Sequence, residues 1–599
     1  MISPKERLQA LRLRLRERGY DALVVPRADE YLGEYIPADK ERLHWLTGFT
    51  GSAGAAVVLA RPDDERAAIF VDGRYTVQVR EQVDADLYEI CHLIEQPPIQ
   101  WLSANLQPGA RVACDPRLHS LAWLRGSIAA LRQVDAELVA DGDNLVDACW
   151  SDRPAPVVRR GLLLDEQYTG EHSLAKRERM AKVLVERGAD SALVFAPDAV
   201  SWLLNVRGTD MPKLPVLPAT ALLHADASLD LYVDPARLPQ GFAEHVGEGV
   251  RVYPEQALDE ALRGVGDKNV LACPNTANAW MQLQLEQAGA TLIATADPVA
   301  LAKACKNEAE LNGARSAHRR DAVAEIAFLH WLDAEVAAGR LHDEAILADK
   351  LYSLRQPLPE FHAVSFDTIS AAGGNAAMAH YNHLNGTPAE LPMDSVYLVD
   401  SGGQYTDGTT DITRTVAIGN PPAEVRRLYT LVLKGHIALA EAVFPPGTTG
   451  TQLDAMARQF LWREGFDYDH GTGHGVGAFL SVHEGPQRIA KASSTVALRP
   501  GMIVSNEPGY YRDGQFGIRC ENLVAVREVG ELGGDRAMLG FETLTLVPFD
   551  NRLLAVELLT PAEVAWLDAY HARVWQEIGP ALDGAVRDWL HAATRPVAL

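Results

Sequence analysis

The sequence predicts an α/β (α+β) chain: two related α/β domains in tandem, followed by a third domain that carries the chemistry. Three observations lead there. At 599 residues the chain exceeds one compact core and suits three or four domains. Its first half contains an internal echo. Beyond residue 306, short strand-like and glycine-rich segments bring Asp, His and Glu at intervals that make sense only together.

The echo runs from Arg16-Glu17-Arg18-Gly19-Tyr20-Asp21 into Ala22-Leu23-Val24-Val25, and again from Val185-Glu186-Arg187-Gly188-Ala189-Asp190 into Ala192-Leu193-Val194-Phe195. In both places a charged helix ends at glycine, the usual residue after a helix C-terminus, and enters an apolar strand. Trp45-Leu46 and Trp202-Leu203 follow, then the strands Ala68–Asp72 and Leu229–Asp234. Duplication is the economical reading. A Pro-rich polar stretch near Ser151–Pro156 and the onset of a long helical pattern near Ala304–Glu308 divide the chain into 1–155, 156–305 and 306–599. Leu311, Ala314, Ala322, Ile326, Leu329 and Leu332, with no Pro among them, predict one or two core-facing helices at the start of the third domain. The first two domains are left to shape access, substrate selection or assembly.

Composition narrows the class. A net charge of −24 without basic stripes argues against nucleic acid or an anionic membrane as partner. No apolar run is long enough for a membrane span, and the N-terminus is too charged for a signal peptide. Six single Cys, without CxxC pairs, argue against a zinc cluster or disulfide framework and suit a reducing cytoplasm.

Asp400, Asp411, His474, Glu507 and Glu521 supply four carboxylates and one imidazole, the ligand count and charge for two adjacent divalent cations. Their four negative charges balance two such ions, and the arrangement points to a hydrolase. Tyr397–Asp400, Ser401–Gly408 and Thr410–Val416 read as strand, glycine-rich turn and strand, which sets Asp400 near Asp411 and places Thr413 and Thr415 on one face. Asp407, before Gly408, is a turn former. His470-Gly471-Thr472-Gly473-His474-Gly475-Val476-Gly477 is too rich in glycine for a metal-binding helix; the glycines let backbone pass close to an ion or substrate. His474 is the ligand there, with His470 and His483 as further candidates. Met502–Glu507 is an apolar strand stopped by Pro508. In Gly517–Leu523, Arg519 and Glu521 share one face; that segment alone reads equally well as a surface pair on an edge strand.

Together, DSGGQYTDGTTDITRT (400–415), HGTGHGVGAFLSVHEGP (470–486), IVSNEPGYY (503–511) and GIRCENL (517–523) resemble the pita-bread metallopeptidase family, and within it the long, three-domain Xaa-Pro aminopeptidases. HWLTGFTGSAG (44–54), VDGRY (71–75), NLVDACWSDRP (144–154) and FETLTLVPFDNRLL (541–554) extend the likeness along nearly the whole chain. The metal motifs alone also admit methionine aminopeptidases and prolidases. Gly403 stands where related chains commonly have Ala, and Ser481 where they have Asn.

The resemblance implies a C-terminal pita-bread catalytic domain and cleavage of the bond between an N-terminal residue and a following proline. The nucleophile would be a water activated between two ions, usually manganese. Asp400 would bind one ion, His474 and Glu507 the other, with Asp411 and Glu521 bridging. Glu507 would act as base, and His380, His470, His483 and Arg519 would serve the active site. It also implies peptide substrates with proline in second place, a homodimer and a cytoplasmic enzyme. A prolidase acting on Xaa-Pro dipeptides and a non-catalytic peptide-binding module of the same fold are the alternatives.

Overall fold

The computed structural model describes residues 3–211, 213–530 and 532–598. The chain divides into two compact units. The first takes residues up to 299 except 164–170 and 212–215; the second takes those two segments and everything from 300 onward.

The first unit holds both halves of the repeat, each built on a six-stranded sheet of the same topology. In one, the central strand Ala22–Pro26 runs antiparallel to Ala55–Leu59 and parallel to Arg111–Cys114. In the other, Ser191–Val194 runs antiparallel to Thr220–His224 and parallel to Asn269–Ala272. The helix-to-strand joints match in detail. Gly19 (φ 68°) and Gly188 (φ 67°) both adopt the left-handed conformation that ends the preceding helix. Two residues on, Asp21 donates its N–H to the Arg111 carbonyl and accepts the Arg111 N–H at 2.8 Å. Asp190 repeats both bonds with Asn269, the second also at 2.8 Å. The repeated Gly-x-Asp therefore stitches the central strand to its parallel neighbour in each half, which supports a duplication. Ser120 and Asn278, the equivalent N-caps of helices Leu121–Arg132 and Ala279–Gln287, meet in a backbone bridge.

The second unit opens with a single 30-residue helix, Glu308–Ala337, started by a capping box between Asn307 and Glu310. Its apolar stripe, including Ile326, Leu329 and Leu332, packs into a large core cluster of this unit. The strands of this unit pair antiparallel throughout the described residues. Ile369–Ala372, Ser395–Ser401 and Ile412–Ile418 form one sheet; Glu484–Ile489, Gly473–Gly475, Ile503–Asn506, Asn522–Val529 and Met538–Thr543 form another. Helix Ala423–Ala440 packs behind them with Leu428, Val432 and Leu439 buried. No helix among the described residues is long and apolar enough to cross a membrane.

Candidate active site

Four strand ends and one mid-strand position deliver the five ligand candidates. Asp400 is the penultimate residue of Ser395–Ser401 and faces Thr413 across the ladder, while Asp411 sits at the turn just before Ile412. The expected hairpin is present, but the two short strands Gly403–Tyr405 and Gly408–Thr409 lie within its connection. His474 lies on Gly473–Gly475, a strand pressed between two neighbours. A Cβ at Gly473 would fall 2.0 Å from the Ser505 carbonyl oxygen, and one at Gly475 2.2 Å from that of Glu484. At these two glycines the close passage is to neighbouring protein backbone, rather than to an ion or substrate as expected. Glu507 follows Ile503–Asn506 directly, and its N–H bonds to the Thr472 carbonyl. Glu521 stands between Phe516–Arg519 and Asn522–Val529, with its N–H on the Thr413 carbonyl.

The side chains converge as two overlapping trios sharing Glu521. Asp400, Asp411 and Glu521 form one; His474, Glu507 and Glu521 form the other, with ligand atoms within 4.8 Å of one another in each. His474 Nε2 lies 3.4 Å from Asp411 Oδ2 and 3.5 Å from Glu507 Oε1. Its Nδ1 is 2.9 Å from the Gly475 carbonyl, which only accepts, so Nδ1 carries a hydrogen and Nε2 is the nitrogen turned toward the carboxylates.

This donor set fits divalent cations. Asp400, Asp411 and Glu521 are buried, and Asp400 Oδ1 and Glu521 Oε1 are buried without a hydrogen-bond partner. Buried carboxylate oxygens without donors are costly unless a positive charge meets them. Burial, then the charges of Asp411, Glu507 and Asp400, holds the Glu521 carboxyl well above the usual range. Burial likewise pushes Asp411 up to about 6. Burial opposes charge on His474, yet the Asp411 hydrogen bond and the Glu507 and Asp411 charges carry it up to about 9. Each shift reports surplus negative charge in a space that excludes water.

The remaining predicted residues surround this centre. Arg519 donates to Asp400 Oδ2, to Thr413 Oγ1 at 3.0 Å and to the Tyr511 hydroxyl at 2.6 Å. His470 Nε2 lies 2.8 Å from the Tyr511 hydroxyl. His483 packs edge-on against His474 with ring centres 4.4 Å apart, and forms a further potential ligand trio with Asp411 and His474. His380 stacks beyond it, 6.4 Å from the His483 ring.

Comparison with known proteins places this arrangement. Residues 312–528 match metallopeptidase family M24. Residues 7–149 and 152–310 each match a creatinase/prolidase N-terminal domain, and 537–597 match the C-terminal region of the M24 peptidases. A probable Xaa-Pro aminopeptidase P of Tuber melanosporum is 38% identical over 100% of both chains. One of Aspergillus niger is 38% identical over 100% of this chain and 99% of its own. The chain belongs to the Xaa-Pro aminopeptidase P group of family M24. The crystal structure of X-prolyl aminopeptidase from Caenorhabditis elegans, described as a cytosolic enzyme with a di-nuclear active site, matches over 100% of both chains with a TM-score of 0.95 and 33% identity.

In this member of the aminopeptidase P group, several contacts around the ligands were not foreseen from sequence. Tyr511 joins Arg519 to His470. Thr413 donates to Glu521 Oε2 at 2.6 Å, and Ser505 to Glu507 Oε1 at 3.1 Å while accepting the His474 N–H. Behind the aspartates, Arg355 bridges Asp321 and Glu325, which also receive Thr410 and Ser401, the chain neighbours of Asp411 and Asp400. Asp321 and Glu325 lie four apart on the long helix, and that spacing was a legible signal that the two carboxylates share a face. Which group they meet was not legible.

Proposed function

We propose that the chain is a metal-dependent aminopeptidase that hydrolyses the bond between an N-terminal residue and a following proline. Asp400, Asp411, His474, Glu507 and Glu521 would hold two divalent cations, Asp411 and Glu521 being the candidates to serve both. The observation that carries the reading is the pair of ligand trios sharing Glu521, in a chain with Xaa-Pro aminopeptidase relatives along its full length. Manganese suits a set of mainly hard oxygen donors with one imidazole.

When bound, the cations supply Lewis acidity and make water acidic enough to attack near neutral pH. Glu507 takes the proton of that water and passes it to the leaving nitrogen. Protonation there is decisive, because the nitrogen of an Xaa-Pro bond is tertiary and carries no hydrogen of its own. Ser505 holds Glu507 through Oε1. His483 and His380 serve as donors to substrate oxygen as negative charge develops, a contribution of about 3 kcal/mol per donor. Arg519 orients Asp400 through a hydrogen bond to Oδ2, and Tyr511, which also meets His470, braces Arg519.

The division 1–155, 156–305 and 306–599 assigns the chemistry to the last part. A cytoplasmic location agrees with six free cysteines and with the description of the C. elegans enzyme as cytosolic. Homodimerisation is part of the proposal, checked by sedimentation.

The functional test uses protein stripped of metal and restored with manganese. An Xaa-Pro-Yaa peptide with a free amino terminus is expected to be cut at the Xaa-Pro bond far faster than Xaa-Ala-Yaa, only after restoration, with N-acetylation abolishing cleavage. Cleavage confined to Xaa-Pro dipeptides would establish a prolidase instead. Preference for Met-Ala-Yaa would establish a methionine aminopeptidase, and failure to bind metal a non-catalytic module.

A further inference from the structure

His436 belongs to none of the ligand segments, yet it is completely buried behind both glutamates. It projects from helix Ala423–Ala440. Its Nδ1 lies 3.0 Å from the Asn506 carbonyl and 3.2 Å from the Cys520 carbonyl. Those are the peptide oxygens immediately before Glu507 and Glu521. Its own carbonyl accepts the Asn506 side-chain N–H at 2.9 Å, and its Nε2 lies 3.3 Å from Asn522 Nδ2. One residue thus grips both strand ends that carry glutamate ligands.

The protonation pattern follows from the partners. Two carbonyls facing Nδ1 require a hydrogen on it, since carbonyls only accept. Asn522 is oriented independently: Arg414 donates to its Oδ1 at 2.8 Å, which turns the amide N–H groups toward Nε2. Arg414 is itself seated by the Val547 and Pro548 carbonyls and the Tyr570 hydroxyl. Nε2 must therefore be the acceptor. Burial, then the nearby Arg414 charge, lowers the imidazole to about 3, which keeps it neutral and this tautomer in place. Phe549 and Trp566 close over the ring edge-on at 5.2 and 6.0 Å.

We propose that His436 is a positioning residue whose shared Nδ1–H sets the separation of Glu507 and Glu521, and with it the spacing of the two cations. The inference rests on the ligand set proposed above. Glu507 and Glu521 lie in the gap between two paired stretches, with Asn506 opposite Asn522 on one side and Gly509 opposite Arg519 on the other, where the Cys520 N–H also reaches the Pro508 carbonyl. The imidazole N–H ties the two strands together inside that gap, at the Asn506 and Cys520 carbonyls.

The test compares His436→Phe, which keeps a flat buried ring without the N–H, with His436→Asn, whose side-chain amide offers an N–H near the Nδ1 position. In manganese-restored protein, His436→Phe is expected to fold, to lose at least about 10-fold in kcat with little change in KM, and to weaken the spin coupling of the manganese pair seen by electron paramagnetic resonance. His436→Asn is expected to recover most of the turnover and the coupling. A folded His436→Phe with wild-type kcat and coupling would overturn the proposal. Should His436→Phe fail to fold, His436→Asn decides alone: folded with near-normal coupling it supports the clamp, folded without coupling it overturns it. Glu521→Ala, run alongside, separates the two levels. Two coupled ions surviving in that variant would remove the ligand assignment, and the clamp with it.

Discussion

Glu507 is asked to do two things, hold a cation and move a proton, and amide replacement separates them. Glu507→Gln keeps shape and an oxygen donor but no basicity, so turnover is expected to fall by about 10² or more with the fold intact. Near-normal kcat at full metal content would remove Glu507 from the proton path. Asp411→Asn acts on both ions at once if Asp411 lies between them; elemental analysis should find fewer than two metals per chain, and two would argue against bridging. His380→Ala and His483→Ala should slow catalysis with metal content unchanged. For His483 this is a sharp measurement, because it lies within ligand distance of Asp411 and His474, and metal loss in His483→Ala would move it into the ligand set.

At the scale of elements, strand ends are held by groups buried on the neighbouring helices. Arg355 is fully buried against Asp321 at 2.6 Å and also bonds Glu325, and through these two it braces Ser401 and Thr410. Burial raises the Glu325 carboxyl even with the guanidinium beside it. Arg355→Met would leave two carboxylates buried without a cation, and the expected loss is about 3–5 kcal/mol of stability, read from denaturant unfolding. Arg427 and Glu464 make a comparable pair at the surface, where side chains are 40% and 33% exposed. Arg427→Ala should therefore cost no more than about 1 kcal/mol. Similar costs for the two variants would refute the burial argument.

For the whole molecule, metal and fold are linked. In metal-stripped protein, Asp411 titrates near 6 rather than 3.8, so the folded state binds more protons than the unfolded state across that interval and stability falls as pH rises through it. His474 is raised from 6.5 to about 9; its contribution is complete below 6.5 and is lost as pH rises through 9. Both act in one direction. Thermal unfolding of stripped protein should move to lower temperature from acid to alkaline pH, and manganese should restore most at the alkaline end, by about 2.7 kcal/mol for one site at 100 times its Kd. A stripped protein whose Tm rises across this range would contradict the surplus of negative charge at the site.

The duplication, the helical stretch after residue 306 and the five ligand candidates were legible in the sequence because each depends on local chemistry: glycine at a helix end, apolar spacing without proline, carboxylates at the ends of apolar strands. The same local logic reached Asp400 and Asp411, which lie near each other in sequence. It did not reach Tyr511, Arg414, Asn522 or His436. Each looks ordinary in its own segment, and His436 reads as one polar residue in an amphipathic helix. Their roles arise from partners as far as 156 positions away, in pairings that only the folded chain brings together. The sequence determined which groups could meet a metal. The tertiary structure decided how far apart they stand, because that spacing is set by buried hydrogen bonds between segments that share no local pattern.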